Sequence, residues 1–358
     1  MVRLVGADSF RLLLTQGFHE ERRELGWSPN VPKHSWVIGP PVSRADWEEL
    51  ARIVDEADVA VLGSCPRWMW LRRAGTGKLT FYATERYFKM PLYWWRFLNP
   101  RFLLVLRRLK RIANNPNSHY LAIGNRAASD MRTIGAFGGR TWRWAYFLGN
   151  PNQSPLERPE RPMRVLWLGR MLALKRIDTL LTAVFAIRDE PGFGHVDIIG
   201  TGPEFSRLEA LSRRLGLASK VSFQGPIPAK QVASVMRASD VYVLASDRHE
   251  GWGAVVNEAM AEGMVVVANE EAGVSRVLIR HQETGFLFGD GNVDALAQIL
   301  RTLSRSRELR NKIGLAAATH IREHWHPRVG AERLLELSTG LLGLRAMPNY
   351  DDGPCSRC

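Results

Sequence analysis

The stretch at residues 247–263, DRHEGWGAVVNEAMAEG, decides the fold. It follows an apolar run, Val241-Tyr242-Val243-Leu244-Ala245, of the length and side-chain type of a buried strand. Gly251 and Gly253 flank Trp252, so the backbone can turn sharply there and approach a ligand closely. From Ala254 onward, Ala254, Val255, Val256, Ala259, Met260 and Ala261 supply one broad apolar helix face. A glycine turn feeding a helix is a ready anion site, because free N–H groups and the helix dipole point at the ligand. Glu250 precedes the turn and Glu258 lies inside the helix. Carboxylates beside a phosphate site accept hydrogen bonds from ribose or sugar hydroxyls. An isolated pair of glutamates at this spacing describes only a solvated helix; the glycines and the preceding strand set this pair apart.

The same alternation extends over the second half. Arg164-Val-Leu-Trp-Leu-Gly169 reads as a strand ending in glycine, with Arg170 and Lys175 ahead of a helix at 177–188. A strand at 195–199 runs into Gly200-Thr-Gly202-Pro203, followed by a helix at 204–215 and a strand at 221–223. A helix at 230–238, strands at 241–245 and 265–268, and a helix near 293–303 complete the pattern. Such βα alternation predicts a doubly wound parallel sheet, whose ligand crevice lies beyond the carboxyl ends of its strands. Gly169, Gly200, Gly225 and residues 247–253 all fall there. Taken singly, Arg170 and Lys175 are ordinary loop charges. Beside a helix N-terminus they become a diphosphate clamp, a point charge from Lys175 and forked donors from Arg170. Cations fixed where a leaving phosphate gathers charge favour the transition state over the ground state, and such a clamp needs no metal ion.

The 358 residues are enough for two domains, each with its own core. No apolar run reaches 18 residues, and the start, MVRLVGADSF, lacks a signal-peptide core. The three cysteines, Cys65, Cys355 and Cys358, suit a reducing, cytoplasmic setting, and no metal-ligand spacing is present. The net charge of +13 is uneven: residues 1–150 hold 23 Lys/Arg against 12 Asp/Glu and nine of the twelve tryptophans. A basic half implies an anionic partner, with nucleic acid, an anionic membrane surface and a phosphorylated acceptor all open. No nucleic-acid-binding motif is present, and no Gly-x-Gly-x-x-Gly of a dinucleotide oxidoreductase.

In that first half, Phe10-Arg-Leu-Leu-Leu is a strand candidate, 19–25 a polar helix and 43–57 a helix capped by Ser43 with Asp46 three residues on. Strands are expected at 59–63, 79–83 and from Tyr120, with a helix from about Arg126. The stretch 98–112 contains RFLLVLRRLKR, with five basic residues and a stripe of leucines. It is either a membrane-surface helix or one that packs its leucines on the core and solvates its charges.

Glu250-Gly-Trp-Gly-x4-Glu258-Ala-Met-Ala resembles the E-x7-E segment of retaining nucleotide-sugar glycosyltransferases of family 4. Gly169-Arg170-x4-Lys175 resembles that family's phosphate-binding pair, and Gly200-Thr-Gly202-Pro203 its Gly-x-Gly-Pro loop. Phe223-Gln-Gly225-Pro-Ile227-Pro228 resembles the segment whose backbone holds the nucleobase. The resemblance implies an α/β GT-B fold, two Rossmann-like doubly wound domains facing a cleft. It implies an acceptor-side domain at 1–150, a linker at 151–162 and a donor-side domain at 163–325. A helix at 326–343 would cross back after His326-Pro327, and 344–358 is expected to be a disordered tail. It also implies a UDP- or GDP-sugar donor, no further cofactor, Glu258 on the ribose hydroxyls and Glu250 on the transferred sugar. Gly251, Trp252, Gly253 and Ala254 would lie against the donor, and the acceptor would be lipid-linked or a polysaccharide.

The first half departs from the family by lacking its opening strand and glycine-rich loop. After the strand at 79–83, where many members carry a His, this chain has Glu85 and Arg86. Glu85 is a candidate acceptor contact, or else an ion-pair partner of Arg86 or Lys89. A nucleotide-sugar-binding protein without turnover is the alternative.

Overall fold

The computed structural model describes residues 1–16, 26, 34–86, 98–147 and 160–358. The expected helix at 19–25, Lys89 and most of the 151–162 linker lie outside them. The chain forms two units, one of Met1–Ala145 with Pro327–Cys358 and one of Tyr146–His326.

In the first unit, β1 (Leu12–Leu13) and β2 (Val37–Ile38) pair as a separate two-stranded ribbon, so the strand expected from Phe10 is only two residues long. The main sheet has β3 (Val59–Leu62), β4 (Leu79–Thr84), β5 (Ser118–Ile123) and β6 (Thr141–Trp144), all parallel and in that spatial order. The helix Arg44–Glu56 starts as its sequence predicts. Ser43 accepts from the Asp46 N–H, and the Asp46 carboxylate accepts from the Ser43 N–H. Pro100–Asn114 is a helix capped by Asn99, with Leu106, Leu109, Ile112 and Ala113 turned into the core. Its five cations remain exposed, together with Leu103 and Leu104. The core can therefore account for only some of its leucines.

Tyr82, Leu109, Tyr120, Met131 and Phe137 belong to the core on one face of this sheet. Leu79, Phe81, Leu121 and Trp142 form a second core with Leu334 and Leu337 of the helix Pro327–Leu341 and with Cys355. Alternation along β4 puts Leu79 and Phe81 on one face and Tyr82 on the other.

The tail corrects an expectation. Residues 352–358 are ordered against the edge of β6. The Cys355 N–H donates to Arg143 O, and the Arg143 N–H donates to Ser356 O. The Arg143 side chain pairs with Asp352 at 3.0 Å, and the Arg357 guanidinium lies 3.9 Å over the Trp142 ring. Polar composition suggested disorder, but the unpaired N–H and C=O groups of an edge strand make a short polar segment a good partner.

The second unit holds six parallel strands, β7 (Met163–Leu168), β8 (Phe193–Ile199), β9 (Val221–Gln224), β10 (Val241–Leu244), β11 (Val265–Asn269) and β12 (Phe286–Phe288). Their order is β12-β11-β10-β7-β8-β9. Every residue of β10 and β11 is buried, as strands covered on both faces require. The order reverses between β7 and β10, and a doubly wound sheet opens its ligand crevice at such a point.

Candidate active site

The loops after β7 and β10 carry the charged residues singled out in the sequence. After β7 come Gly169, the exposed Arg170 and a short 3₁₀ turn, Ala173–Lys175. After β10 comes the turn that holds Glu250, then the helix Val255–Ala261 with Glu258 in its first turn. The Asp247 N–H donates to Leu174 O at 2.9 Å and joins the two loops. Lys175 Nζ lies 2.5 Å from Glu250 Oε2, both largely buried. The cation expected on phosphate and the carboxylate expected on sugar are therefore bonded to each other. Each compensates the desolvation of the other.

Gly253 takes φ +86, a conformation that L side chains rarely adopt, and a side chain there would meet Leu244 and Glu250. The glycine thus both turns the chain and seats Glu250. Glu258 is half-buried, and desolvation pushes its carboxyl up to about 6. Beneath them Tyr242 is fully buried, its hydroxyl donating to Leu168 O at 3.3 Å. Burial first, and the charges of Glu250 and Glu258 after it, push this phenol well above its ordinary range. The carboxylates and the phenol thus share one neighbourhood beside the end of β7.

The other site candidates lie in the loops after β8, β9 and β10. The Trp252 ring is 1% exposed, and its indole N–H donates to Asn257 Oδ1 at 2.8 Å. It is a core anchor, so only its backbone could meet a ligand. A Cβ on Gly200 would lie 1.9 Å from Gly169 O, and one on Gly202 2.4 Å from Met171 O. Both glycines let the β7 and β8 loops touch, which holds the loop of Arg170 in place. Gly251 O would lie 1.7 Å from a Cβ on Gly273, a second close backbone approach. Ala254 precedes the first helical residue, and Gly225 and Ile227 follow β9, with Gly225 exposed and Ile227 half-buried.

Glu85 belongs to the other unit, at the end of β4, where its carbonyl accepts from the Tyr120 hydroxyl at 3.4 Å. Arg86 pairs with Asp130 at 3.3 Å. Sequence reasoning missed Tyr242, Asn257 and Gly273, whose partners lie far along the chain. It also missed the local contact of Asp247 with His249, which an Asp two residues before a His could have signalled.

A doubly wound unit with two carboxylates and two cations at its switch point has the make-up of the donor half of a GT-B glycosyltransferase. Residues 151–320 match the family model described as glycosyl transferases group 1. It is 35% identical over 172 residues to the D-inositol 3-phosphate glycosyltransferase of Streptomyces scabiei, covering 45% of this chain and 38% of that protein. It is 28% identical over 187 residues to the GDP-mannose-dependent alpha-(1-6)-phosphatidylinositol monomannoside mannosyltransferase of Mycobacterium tuberculosis, covering 51% and 48%. The chain thus aligns with less than half the length of either relative. The structure of Anabaena HepE in complex with UDP superposes with a TM-score of 0.66 at 19% identity, covering 85% of each chain. That likeness shows the GT-B fold across both units. The named relatives are transferases, which does not favour a binding protein without turnover.

Proposed function

We propose that this protein transfers a sugar from a nucleotide-sugar donor to an acceptor hydroxyl. The observation that carries the proposal is the Lys175–Glu250 pair at the β7/β10 switch point, with Glu250 and Glu258 both acting on the buried Tyr242. Arg170 and Lys175 would bind the diphosphate and stabilise its growing charge, Glu258 the ribose, and Glu250 the sugar. Donor phosphate would draw Lys175 away from Glu250, freeing the carboxylate as the sugar arrives. The resemblance of residues 250–261 to the E-x7-E segment of retaining enzymes supports retention as part of the proposal. UDP bound to HepE and the GDP-mannose of the mycobacterial relative support a UDP- or GDP-sugar. Incubation with UDP-glucose, UDP-N-acetylglucosamine and GDP-mannose tests this: at least one should raise the melting temperature and release its nucleotide. A protein that none of them stabilises would defeat it.

The acceptor side is read from the first unit. Its charge excess, and acceptors in the relatives' names that carry phosphate, support an anionic or lipid-linked acceptor, with Glu85 a candidate contact. Among the described residues no helix is long and apolar enough to cross a membrane. The helix Pro100–Asn114 instead presents Leu103, Leu104 and five cations outward, which supports peripheral docking on an anionic, cytoplasmic membrane face. Each Lys or Arg there contributes about 1 kcal/mol. Binding to phosphatidylserine vesicles should fall steeply with salt; equal recovery on neutral vesicles would remove this part.

A further inference from the structure

The turn Gly251-Trp252-Gly253 carries a single side chain, and its two glycines leave the backbone free to take other conformations. Both carboxylates of the site depend on this turn. A Cβ on Gly253 would lie 3.6 Å from Glu250 Cγ, so the stem of Glu250 folds back over the turn. The Gly253 carbonyl accepts from the Val256 N–H at 3.0 Å and opens the helix that bears Glu258. The one side chain available to fix the turn, Trp252, is buried and keyed by Asn257, itself 1% exposed. Asn257 Oδ1 accepts from the Trp252 indole N–H at 2.8 Å, and Nδ2 donates to Tyr146 O at 3.1 Å. The partners fix which end of the amide is which, since an indole only donates and a carbonyl only accepts. The Tyr146 ring meets the Trp252 ring edge-on at 6.3 Å, so the indole is held from two sides. Satisfying a buried indole N–H needs one acceptor, which any backbone carbonyl could supply. Here the acceptor is the residue that immediately precedes Glu258, and its amide is bonded at both ends.

We infer that Asn257 is a positioning residue: acting through Trp252, it fixes the turn on which Glu250 rests against the helix that bears Glu258. This rests on the transferase function proposed above. The spacing between the carboxylate assigned to the sugar and the one assigned to the ribose is then set before the donor arrives. A donor held at both points keeps its C1 in line for transfer, and a loosened turn misplaces the sugar. The cations assigned to the diphosphate have no bond to Asn257, so they hold the donor whether or not the turn is keyed. Loss of Asn257 therefore acts on kcat rather than on donor KM.

The experiment compares wild type with N257L, W252F, the double variant W252F/N257L and K175A on UDP-glucose, UDP-N-acetylglucosamine and GDP-mannose. Nucleotide release is followed in water and with a total lipid and oligosaccharide extract, together with donor KM and melting temperature. N257L keeps the volume of the side chain but strands the indole N–H. It should lower kcat by roughly 10- to 100-fold with donor KM within about twofold of wild type. W252F, which strands Asn257 Oδ1, should lower kcat to the same level, and the double variant no further, because all three lack one bond. Replacing both partners by apolar groups should return much of the melting temperature lost in N257L. A purely structural role would return kcat along with it, so the double variant decides even if N257L fails to fold. Wild-type kcat in the double variant, while K175A is impaired, would overturn the role of Asn257 and leave the transferase proposal standing. A wild-type protein that binds nucleotide but turns over no donor under either condition would overturn both.

Discussion

The two units are both parallel sheets, yet they are wound differently. In the second, the strand order reverses between β7 and β10, so the connections leave to opposite faces and a crevice opens between their loops. In the first, β3-β4-β5-β6 runs in a single direction. Right-handed crossovers in one direction put every connecting helix on the same face. The helices that supply Val54, Met69, Leu109 and Met131 do share one core, with Tyr82 and Tyr120. The other face would be bare, and it is covered by the helix Pro327–Leu341 and Cys355, from the far end of the chain. Winding on both sides makes a switch point that can hold charge; winding on one side makes a surface that needs a cover.

The largest effect expected from this contrast is at the switch point. Glu258→Ala should cost on the order of 3–6 kcal/mol in transition-state stabilisation if the carboxylate accepts two hydroxyl hydrogen bonds, read as the loss of kcat/KM for the donor. The half-buried carboxyl, raised to about 6, adds a pH signature. Donor affinity should weaken as the pH falls through about 6, and E258Q should be weak and flat. Since the folded value is the raised one, protein stability changes in the opposite sense, falling on the order of 1–2 kcal/mol as the pH rises from the ordinary carboxyl range through 6. Unchanged donor kinetics in E258A would remove the distinction between the two units.

A smaller effect separates them by acid. In the first unit the Trp142 indole N–H donates to His119 Nδ1 at 3.1 Å, so this ring is held neutral. Burial first, and then the charges of Arg140 and Arg357, lower its pKa to about 4. The unfolded chain binds the proton at an ordinary histidine value. Stability is therefore complete above about pH 6.5 and lost as the pH falls towards 4, by on the order of 3 kcal/mol. Urea unfolding of H119Q should show a shallower loss between pH 6.5 and 4.5 than wild type. An identical slope would mean that the acid sensitivity comes from elsewhere.

The second unit was legible because its signals are local. A glycine turn after a buried strand, cations five residues apart and two carboxylates eight apart each lie within one strand–loop–helix segment, where spacing nearly dictates placement. The helix Arg44–Glu56 was legible for the same reason, its cap and apolar face lying within 14 residues. The burial of the Trp252 ring was not legible, because an aromatic between two glycines resembles a ligand contact. Its partner Asn257 is five residues on, and Asn257 in turn donates to Tyr146 O, 111 residues away. The tail was misjudged because a polar segment finds order only in a partner, here the edge of β6.

The sequence by itself determined the βα alternation, the residues at the carboxyl ends of the strands and the uneven charge, because periodicity and turn chemistry act over a few residues. Only the tertiary structure decided that Lys175 bonds Glu250, 75 positions along the chain, and that Gly200 and Gly273 exist for backbone contacts. It also decided that the final residues close a sheet begun near residue 59. Such pairings depend on which strands lie side by side. Strand order is set by the burial of the whole core, which no short window of residues contains.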